Sequence, residues 1–191
     1  MQQGFVRVHG GYELRVSSDW WELLESLTVQ LVELLRSTLD DAVAEPSENP
    51  LDPFAAWERE FGAAEEPKPD HEDPALRRLF PNPYPHDDAA AADHRRFSEP
   101  EQGRRKLDEA ELVLAYLRHE DDLVHDTDQE AWLRTLNALR LVLATRLGIE
   151  TASDAEEIAQ LDQSDPRWMM CAVMDVIAEL QTQLIVLGDQ E

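Results

Sequence analysis

The segment from Trp168 to Leu187 constrains the fold of this chain more than any other stretch of its sequence. Drawn as a helix, it carries apolar side chains on nearly every side, at Trp168, Met170, Val173, Met174, Val176, Ile177, Leu180, Leu184 and Leu187. A helix with so little polar surface is usually surrounded by other helices. The sequence therefore predicts that this helix lies at the centre of one irregular bundle.

Further apolar stripes with helical spacing supply the rest of that bundle. Leucine-rich faces recur every three or four residues, which is the periodicity of an amphipathic helix packed on a core. Together with the segment above, they predict helices that begin near Asp19, Glu99, Asp128 and Arg167. We expect a mainly α-helical fold, with helical content well above half.

Candidate N-terminal caps precede three of the helical segments. A Ser or Thr followed three residues later by Glu can form a capping box, in which each side chain accepts a hydrogen bond from a backbone N–H group. The pairs are Ser98 with Glu101, Thr127 with Glu130, and Ser153 with Glu156. We expect each pair to open a helix.

Residues 1–17 have the alternation of a β-hairpin rather than of a helix. Apolar residues alternate on both sides of His9-Gly10-Gly11, and a Gly-Gly pair readily adopts the positive φ angles of a tight turn. The sequence thus predicts a single domain over residues 1–191. Its parts are the β-hairpin at 1–17, a first helix at 18–39, an acidic Pro-rich connection at 40–73 and a helical core at 74–191.

Acidic residues dominate the composition and limit the classes of partner. The chain has 41 Asp and Glu residues against 17 Lys and Arg residues, which leaves a formal charge of −24. Such a chain repels nucleic-acid phosphates and anionic membranes, so we expect neither as a partner. Charged and amide side chains within the last apolar segment also argue against a membrane span. With no signal-peptide pattern visible, we expect a cytoplasmic protein.

One region departs from this acidic pattern. Residues 76–106 contain seven basic and five acidic residues. Nucleic-acid binding is one interpretation of that excess, and pairing of the basic side chains with carboxylates on neighbouring helices is the other. We favour internal pairing, because the charge of the whole chain opposes the approach of phosphates.

Sequence motifs of catalysis and cofactor binding are absent. The glycines are scattered and no Gly-rich loop precedes a helix, and Cys171 lies among apolar residues, as inert buried thiols do. One cluster has metal-ligand character, namely His119, Asp122 and His125, and a metal-dependent enzyme would have to use it. A solvated helix end with an acidic linker explains the same residues. We therefore expect a non-enzymatic protein without a cofactor.

A proline-stiffened segment at residues 73–85 is the main candidate for recognition. Asp73 can cap a short helix that Pro74 begins, and alternating prolines then hold residues 81–85 extended. Such an edge loses little conformational entropy on binding, and Arg and Tyr side chains often anchor interfaces. The alternative is a structural strap that pins a long connection to the core.

The predicted contact surface, for a protein partner, has two parts. Its centre lies in this segment and consists of Arg77, Arg78, Phe80 and Tyr84, and its neighbours on a later helix are Asn137 and Arg140. Asn137 and Arg140 are three residues apart on a helix flank, so one partner can touch both. In the structural account, Arg77 or Arg140 instead ties the segment to helix carboxylates.

Two sequence blocks resemble a known family. The block from Asp73 to Tyr84 (DPALRRLFPNPY) and the block from Trp132 to Leu141 (WLRTLNALRL), with Gly148 closing the second helix, are similar to the actinobacterial family called domain of unknown function 2017. The resemblance covers most of the chain, from the hairpin to the last helix. It implies a cytoplasmic protein without an established activity.

The resemblance also bears on function. It implies a gene beside that of the adaptor of the Clp protease, and thus a link with regulated proteolysis, while some members are called transcriptional regulators. No helix-turn-helix with a basic recognition helix is visible here, so the regulator label fits this sequence poorly. The prediction is a cytoplasmic binding or adaptor protein, with a transcriptional regulator and a metal-dependent enzyme as alternatives.

Overall fold

Helices make up most of the structure. The computed structural model describes residues 4–43, 70–119 and 123–189, and this part is 71% helical. It contains seven α-helices: α1 (Ser18–Val43), α2 (Pro74–Leu79), α3 (Asp88–Phe97), α4 (Glu99–Arg118), α5 (Gln129–Arg146), α6 (Ala152–Ala159) and α7 (Trp168–Gly188). It also contains three strands: β1 (Gly4–Val8), β2 (Gly11–Arg15) and β3 (Leu123–His125). The prediction of a mainly α-helical fold with a small N-terminal hairpin is confirmed.

The helices begin where the apolar periodicity places them. α1, α4, α5 and α7 each start within one residue of the predicted position. α1 continues to Val43, past the predicted end at residue 39, so the connection predicted for residues 40–73 begins later. Residues 44–69 of that connection lie outside the described residues. Sequence periodicity misses α3, because its four alanines and its charged residues form no large apolar stripe.

Two of the predicted capping boxes are wrong, because the residue before each helix is already in a helical or turn conformation. Ser98 also ends α3, with φ and ψ of −104° and −35°, and its backbone N–H donates to His94 O at 2.9 Å. Thr127 lies within a 3₁₀ turn, Asp126–Asp128, that leads directly into α5. Neither α4 nor α5 has a side-chain hydrogen bond at its N-cap.

The third capping box exists but begins two residues earlier than predicted. Thr151 Oγ1 accepts from Asp154 N at 3.2 Å, and Asp154 Oδ2 accepts from Thr151 N at 2.7 Å. Backbone hydrogen bonds at this site lower the pKa of Asp154. The predicted pair, Ser153 and Glu156, lies inside α6, because the Thr-x-x-Asp sequence satisfies the same N–H groups before it.

The predicted hairpin is part of a three-stranded antiparallel sheet. β1 and β2 are joined by a tight turn at His9 and Gly10, where Gly10 has a φ of 86°. β3 adds to the other edge of β2, so residues 123–125 form a strand and the prediction of a solvated helix end is wrong for them. Two strands alone are marginally stable in water. The third strand and the packing of β1 on α7 provide the additional contacts that stabilise the hairpin.

α5, and not α7, is the central helix of the bundle. α5 packs against α1, α2, α4 and α7, and its buried face includes Trp132, Leu136 and Leu139. α7 packs mainly on α5 and β1, and its side chains buried within the described chain are Val173, Ile177, Leu180 and Leu184. The prediction that other helices surround α7 is therefore wrong. The apolar composition of a helix shows that it must be buried, but it does not show which elements bury it. Here α1 and α4 pack extensively on each other and not around α7.

α7 is also long and apolar enough to cross a membrane by length and composition, with a mean hydropathy of 1.6. This is weak evidence, because the core helix of a soluble protein passes the same test. In the structure α7 exchanges hydrogen bonds with the rest of the fold. Gln129 Nε2 donates to Leu184 O at 2.8 Å, and Phe5 N donates to Gln183 Oε1 at 2.8 Å.

Because β2 pairs with β3, we expect the adjacent glycines Gly10 and Gly11 to differ in how well they tolerate a side chain. A Cβ atom on Gly11 would overlap the carbonyl oxygen of Val124, whereas one on Gly10 would meet nothing nearby. We expect Gly11→Ala to lower the free energy of unfolding by about 1–3 kcal/mol, because backbone atoms must move to relieve the overlap. Gly10→Asn is the control and should cost less, because Asn tolerates a positive φ. Urea denaturation measures both, and a Gly11→Ala variant as stable as the control would contradict the crowding.

Candidate binding site

The segment that begins at residue 70 is fastened to α5 through the cap of α2. Asp73 accepts a hydrogen bond from Ala75 N at 2.7 Å, and its other carboxylate oxygen accepts from Arg146 at 2.6 Å. The hydrogen bond from Arg146 is the main reason that the pKa of Asp73 lies below its ordinary value. Leu76 and Leu79 are buried on the core side of α2. The Asp73 carboxylate thus caps the N-terminus of α2 and also joins α2 to α5.

Phe80 lies in the core rather than on a recognition edge. Its side chain is 4% exposed. The His71 ring lies 5.6 Å from the Phe80 ring, and the Lys106 ammonium lies 5.8 Å from the Phe80 ring centroid. His71 Nε2 and Glu99 Oε1, both largely buried, are 2.7 Å apart and attach the same segment to α4. At this residue the geometry supports the structural strap, because Phe80 has no surface to offer a partner.

The two arginines of α2 donate to backbone carbonyl groups. Arg77 Nη1 donates to two carbonyl oxygens that precede α2, at 2.8 and 3.2 Å. Arg78 is half-buried, and its Nη1 donates to the carbonyl oxygen of Ile149, after the end of α5. Tyr84 is 47% exposed. The structure therefore turns Arg78 inward and leaves Arg77 and Tyr84 at the surface.

A cavity of about 290 Å³ lies between α2, α4 and α5, with one residue each from α1 and α7; we call it the α2–α4–α5 cavity. Its apolar lining consists of Leu31, Leu79, Leu133, Ala138 and Leu141. Its polar lining consists of Arg105, Lys106, Glu109, Arg134, Thr135, Asn137 and Gln181. The two sequence blocks that resemble the family meet here, since the first contributes Leu79 and the second most of the α5 wall.

Two of the three cations of the cavity form no ion pair with a described residue. Arg134 donates to Glu109 at 2.6 Å and also to Glu130. Arg105 and Lys106, in contrast, form no ion pair or hydrogen bond with any other residue of the described chain. Burial lowers the pKa of the half-buried Lys106 ammonium, Glu109 partly opposes this, and Arg105 and Arg134 lower it further. The lining of the cavity therefore carries three cations and one carboxylate, an excess of positive charge.

A lining residue of the cavity, Thr135, has a buried hydroxyl group without a hydrogen bond among the described residues. Thr135 is 1% exposed, and within the described chain its Oγ1 has no partner. The other threonines of the described helices each donate to the carbonyl oxygen four residues earlier: Thr28, Thr38, Thr145 and Thr182. Buried hydroxyl groups are rarely left without a partner.

The second part of the predicted surface lies at this cavity. Asn137 is exposed and lines it directly. Arg140 Nη1 donates to Gln181 Oε1 at 2.6 Å, and Gln181 Nε2 donates to Leu133 O at 3.3 Å. Arg140 therefore fixes the position of a side chain in the wall. It does not tie the segment at residues 73–85 to a carboxylate, as the structural account expects.

The predicted metal cluster and the cysteine offer no comparable geometry. Within residues 4–43, 70–119 and 123–189, no group of three or more His, Cys, Asp or Glu side chains could hold a metal ion. His119 ends α4 and His125 lies in β3, while Asp122 falls outside the described residues. The Cys171 thiol donates to Ile158 O at 3.8 Å, and burial raises its pKa. A raised pKa makes a thiol less reactive.

Comparison with known proteins identifies the family. The family model described as domain of unknown function (DUF2017) matches residues 2–187 of the chain. The chain belongs to this family. No curated protein matches it, and no solved structure does. The resemblance seen at the two sequence blocks is thus confirmed at the level of the family, which itself carries no assigned activity.

Sequence reasoning misses Lys106, although a signal for it is present. Lys106 continues the buried stripe of α4, because it precedes Ala110, Val113 and Leu117 with helical spacing. A lysine in phase with a buried stripe is unusual, since lysine is almost never fully buried without a partner. The neighbouring Arg105 belongs to the local basic region, for which we predicted internal pairing; among the described residues neither Arg105 nor Lys106 forms an ion pair.

Two adjacent arginines test whether α2 is a structural strap. We expect Arg78→Ala to lower the free energy of unfolding by about 1–2 kcal/mol, because it removes a charge-assisted hydrogen bond in a half-buried place. Arg77→Ala, the matched control, should cost less than about 1 kcal/mol because its bonds are exposed to water. Thermal denaturation followed by circular dichroism measures both. A larger loss for Arg77→Ala would contradict the strap.

Lys106 should titrate below the ordinary range for lysine. The chain has only one other lysine, Lys68, so NMR of the two ε-amino groups after reductive methylation resolves both, and Lys106→Met assigns the signals. A lowered pKa in the folded state means that folding disfavours the charged form, so this penalty is relieved as the pH rises through that pKa. A Lys106 signal that titrates at or above the ordinary lysine value would contradict the desolvation.

Proposed function

We propose that this protein is a non-enzymatic binding or adaptor protein, and that its recognition site is the α2–α4–α5 cavity. The observation that carries the proposal is the pair of cations Arg105 and Lys106, in a lining with an excess of positive charge. The chain has 41 acidic residues for 17 basic ones, so a carboxylate partner is easy to supply. Among the described residues neither cation has a carboxylate in an ion pair with it, and such cations at a concave place suit an external anionic group.

The energetic cost of the arrangement supports a functional role. A partly buried ammonium that lacks a carboxylate destabilises the folded state, because it loses hydration without gaining an ion pair. Protein structures keep such costs mainly where function needs them. Thr135, whose buried hydroxyl group has no hydrogen bond within the described chain, belongs to the same lining.

A catalytic role receives less support from the same residues. Glu109 is the one carboxylate in the cavity lining, and Arg134 engages it at 2.6 Å. The lining contains no cysteine, serine or histidine that could serve as nucleophile or base. For the alternatives of a metal-dependent enzyme and a transcriptional regulator, we find no specific support among the described residues.

The process in which the protein acts is proposed on family context alone. The gene neighbourhood that the family resemblance implies favours Clp-type regulated proteolysis. An adaptor in such a system binds another polypeptide, and a concave site with an excess of positive charge suits that task. We propose a cytoplasmic setting for the same reason.

Lys106→Met tests the proposal, with Arg104→Met as the matched control. Both variants remove one positive charge from α4, but Arg104 lies outside the cavity lining and is paired with Glu101 at 3.9 Å. We expect wild type and Arg104→Met to retain a partner in pull-downs from the source organism, and Lys106→Met to lose it. The melting temperature of Lys106→Met should stay equal or rise, because a desolvation penalty is removed. Retention of every partner by Lys106→Met would refute the proposed site.

A further inference from the structure

The α2–α4–α5 cavity presents two kinds of surface side by side. Leucine side chains from α1, α2 and α5 form an apolar part, while Arg105 and Lys106 supply the excess of positive charge. Ligand sites of this kind bind an apolar body through contact area and fix its orientation through a few polar groups. The complementary ligand therefore has an apolar body joined directly to an anionic group.

The volume limits the size of that ligand. About 290 Å³ lies at the lower end of the range for small-molecule pockets, roughly 300–1,000 Å³. A single amino-acid residue or a small organic acid fits this space, whereas a nucleotide or a lipid chain does not. The occupant is thus either a small free molecule or the tip of a larger one.

Hydrogen-bond donors in the wall favour a carboxylate as the anionic group. The Lys106 ammonium and the Arg105 guanidinium can only donate, and the amide of the exposed Asn137 can do so as well. A carboxylate accepts several such bonds at once, and bonds from charged donors are the strongest of this type. The carboxylate of Glu109 accepts a hydrogen bond from Arg134, and it acts on Lys106 through its charge.

The same cations discriminate between a free amino acid and the end of a polypeptide. A free amino acid carries an ammonium group on the carbon that bears its carboxylate. In the lining that ammonium would meet three cations, Arg105, Lys106 and Arg134, against the single carboxylate of Glu109, which Arg134 already engages. At the C-terminus of a polypeptide this group is a neutral amide. Like charges at close range cost free energy in a partly buried place. The cavity therefore suits a chain terminus better than a free amino acid.

We infer that the cavity binds the C-terminal residue of a partner polypeptide, with an apolar side chain against the leucines and the terminal carboxylate against Lys106 and Arg105. The inference rests on the proposed binding function and specifies the group that the partner presents. Charge complementarity and the apolar lining select this occupant from the same cavity.

Fluorescence anisotropy with short labelled peptides tests the inference. The probe is an uncharged Gly/Ser peptide that ends in leucine with a free carboxylate, and its controls are the same peptide with a C-terminal amide and one that ends in serine. We expect amidation to weaken binding by at least about tenfold, which corresponds to roughly 1.4 kcal/mol. Equal binding of the acid and the amide would overturn the inference.

A double-mutant cycle identifies the partner of the carboxylate. Lys106→Met should weaken binding of the free-acid peptide by about as much as amidation does, and amidation should have little further effect on this variant. Arg104→Met should bind like wild type. Additive losses from Lys106→Met and amidation would overturn the assignment of the carboxylate to Lys106.

Competition and lysine labelling cover the remaining outcomes without any variant. Inorganic phosphate and free leucine should displace the peptide at least about tenfold less well than unlabelled free-acid peptide; displacement as strong as the peptide's own would overturn the inference. The peptide should also slow acylation of Lys106 while Lys68 serves as internal reference, and unchanged acylation would overturn it. If Lys106→Met loses the cellular partner but the wild-type protein binds none of the peptides, the inference that the cavity binds a C-terminal residue is refuted. The proposed binding function would then still hold.

Discussion

Burial of α5 on several sides is the constraint on which the rest of the structure depends. Trp132 is its largest buried side chain and contacts the Phe5 ring at 5.5 Å and the Tyr116 ring at 6.1 Å, both with edge-to-face geometry. The sheet and α4 are therefore fixed to the same residue. Aromatic pairs of this kind stabilise a fold beyond their buried area. The polar groups that α5 carries between its buried faces are then held at defined places, among them Thr135 and Asn137.

The candidate site is a consequence of how α2 and α4 meet that central helix. Asp73 attaches α2 to Arg146, near the C-terminal end of α5, while Arg134 attaches α4 to α5 through Glu109. Between these two attachments lies the α2–α4–α5 cavity. Phe80 is part of the support, because it lies under the Lys106 ammonium at 5.8 Å. The segment that sequence analysis interpreted as either a strap or a recognition edge thus packs on the core through Phe80 and contributes Leu79 to the candidate site.

The predictable part of the fold follows from local periodicity, and the rest depends on contacts between distant residues. The starts of α1, α4, α5 and α7 and the His9–Gly10 turn are local features, and all agree with the structure. β3 is only three residues long and exists through its pairing with β2, so no local pattern announces it. The capping box predicted at Ser98 is absent for a related reason. Ser98 ends α3, which was not predicted, and its backbone N–H donates to a carbonyl group of that helix. Tertiary packing also decides which helix is central. Composition pointed to α7, whereas in the structure α5 is the central helix.

The candidate site shows the same division. Asn137 could be predicted because it lies on the flank of a periodic helix. The lack of an ion pair for Arg105 and Lys106 among the described residues could not, because it depends on where the carboxylates of other elements lie. Net charge alone points away from any anionic ligand, and for a polyanion that argument holds, because many phosphates feel the whole field of −24. A single carboxylate differs, since at physiological ionic strength screening limits distant charges to about 8 Å. Within that range it would meet Arg105 and Lys106, so the net charge of the chain argues against a polyanion but not against one carboxylate at the proposed site.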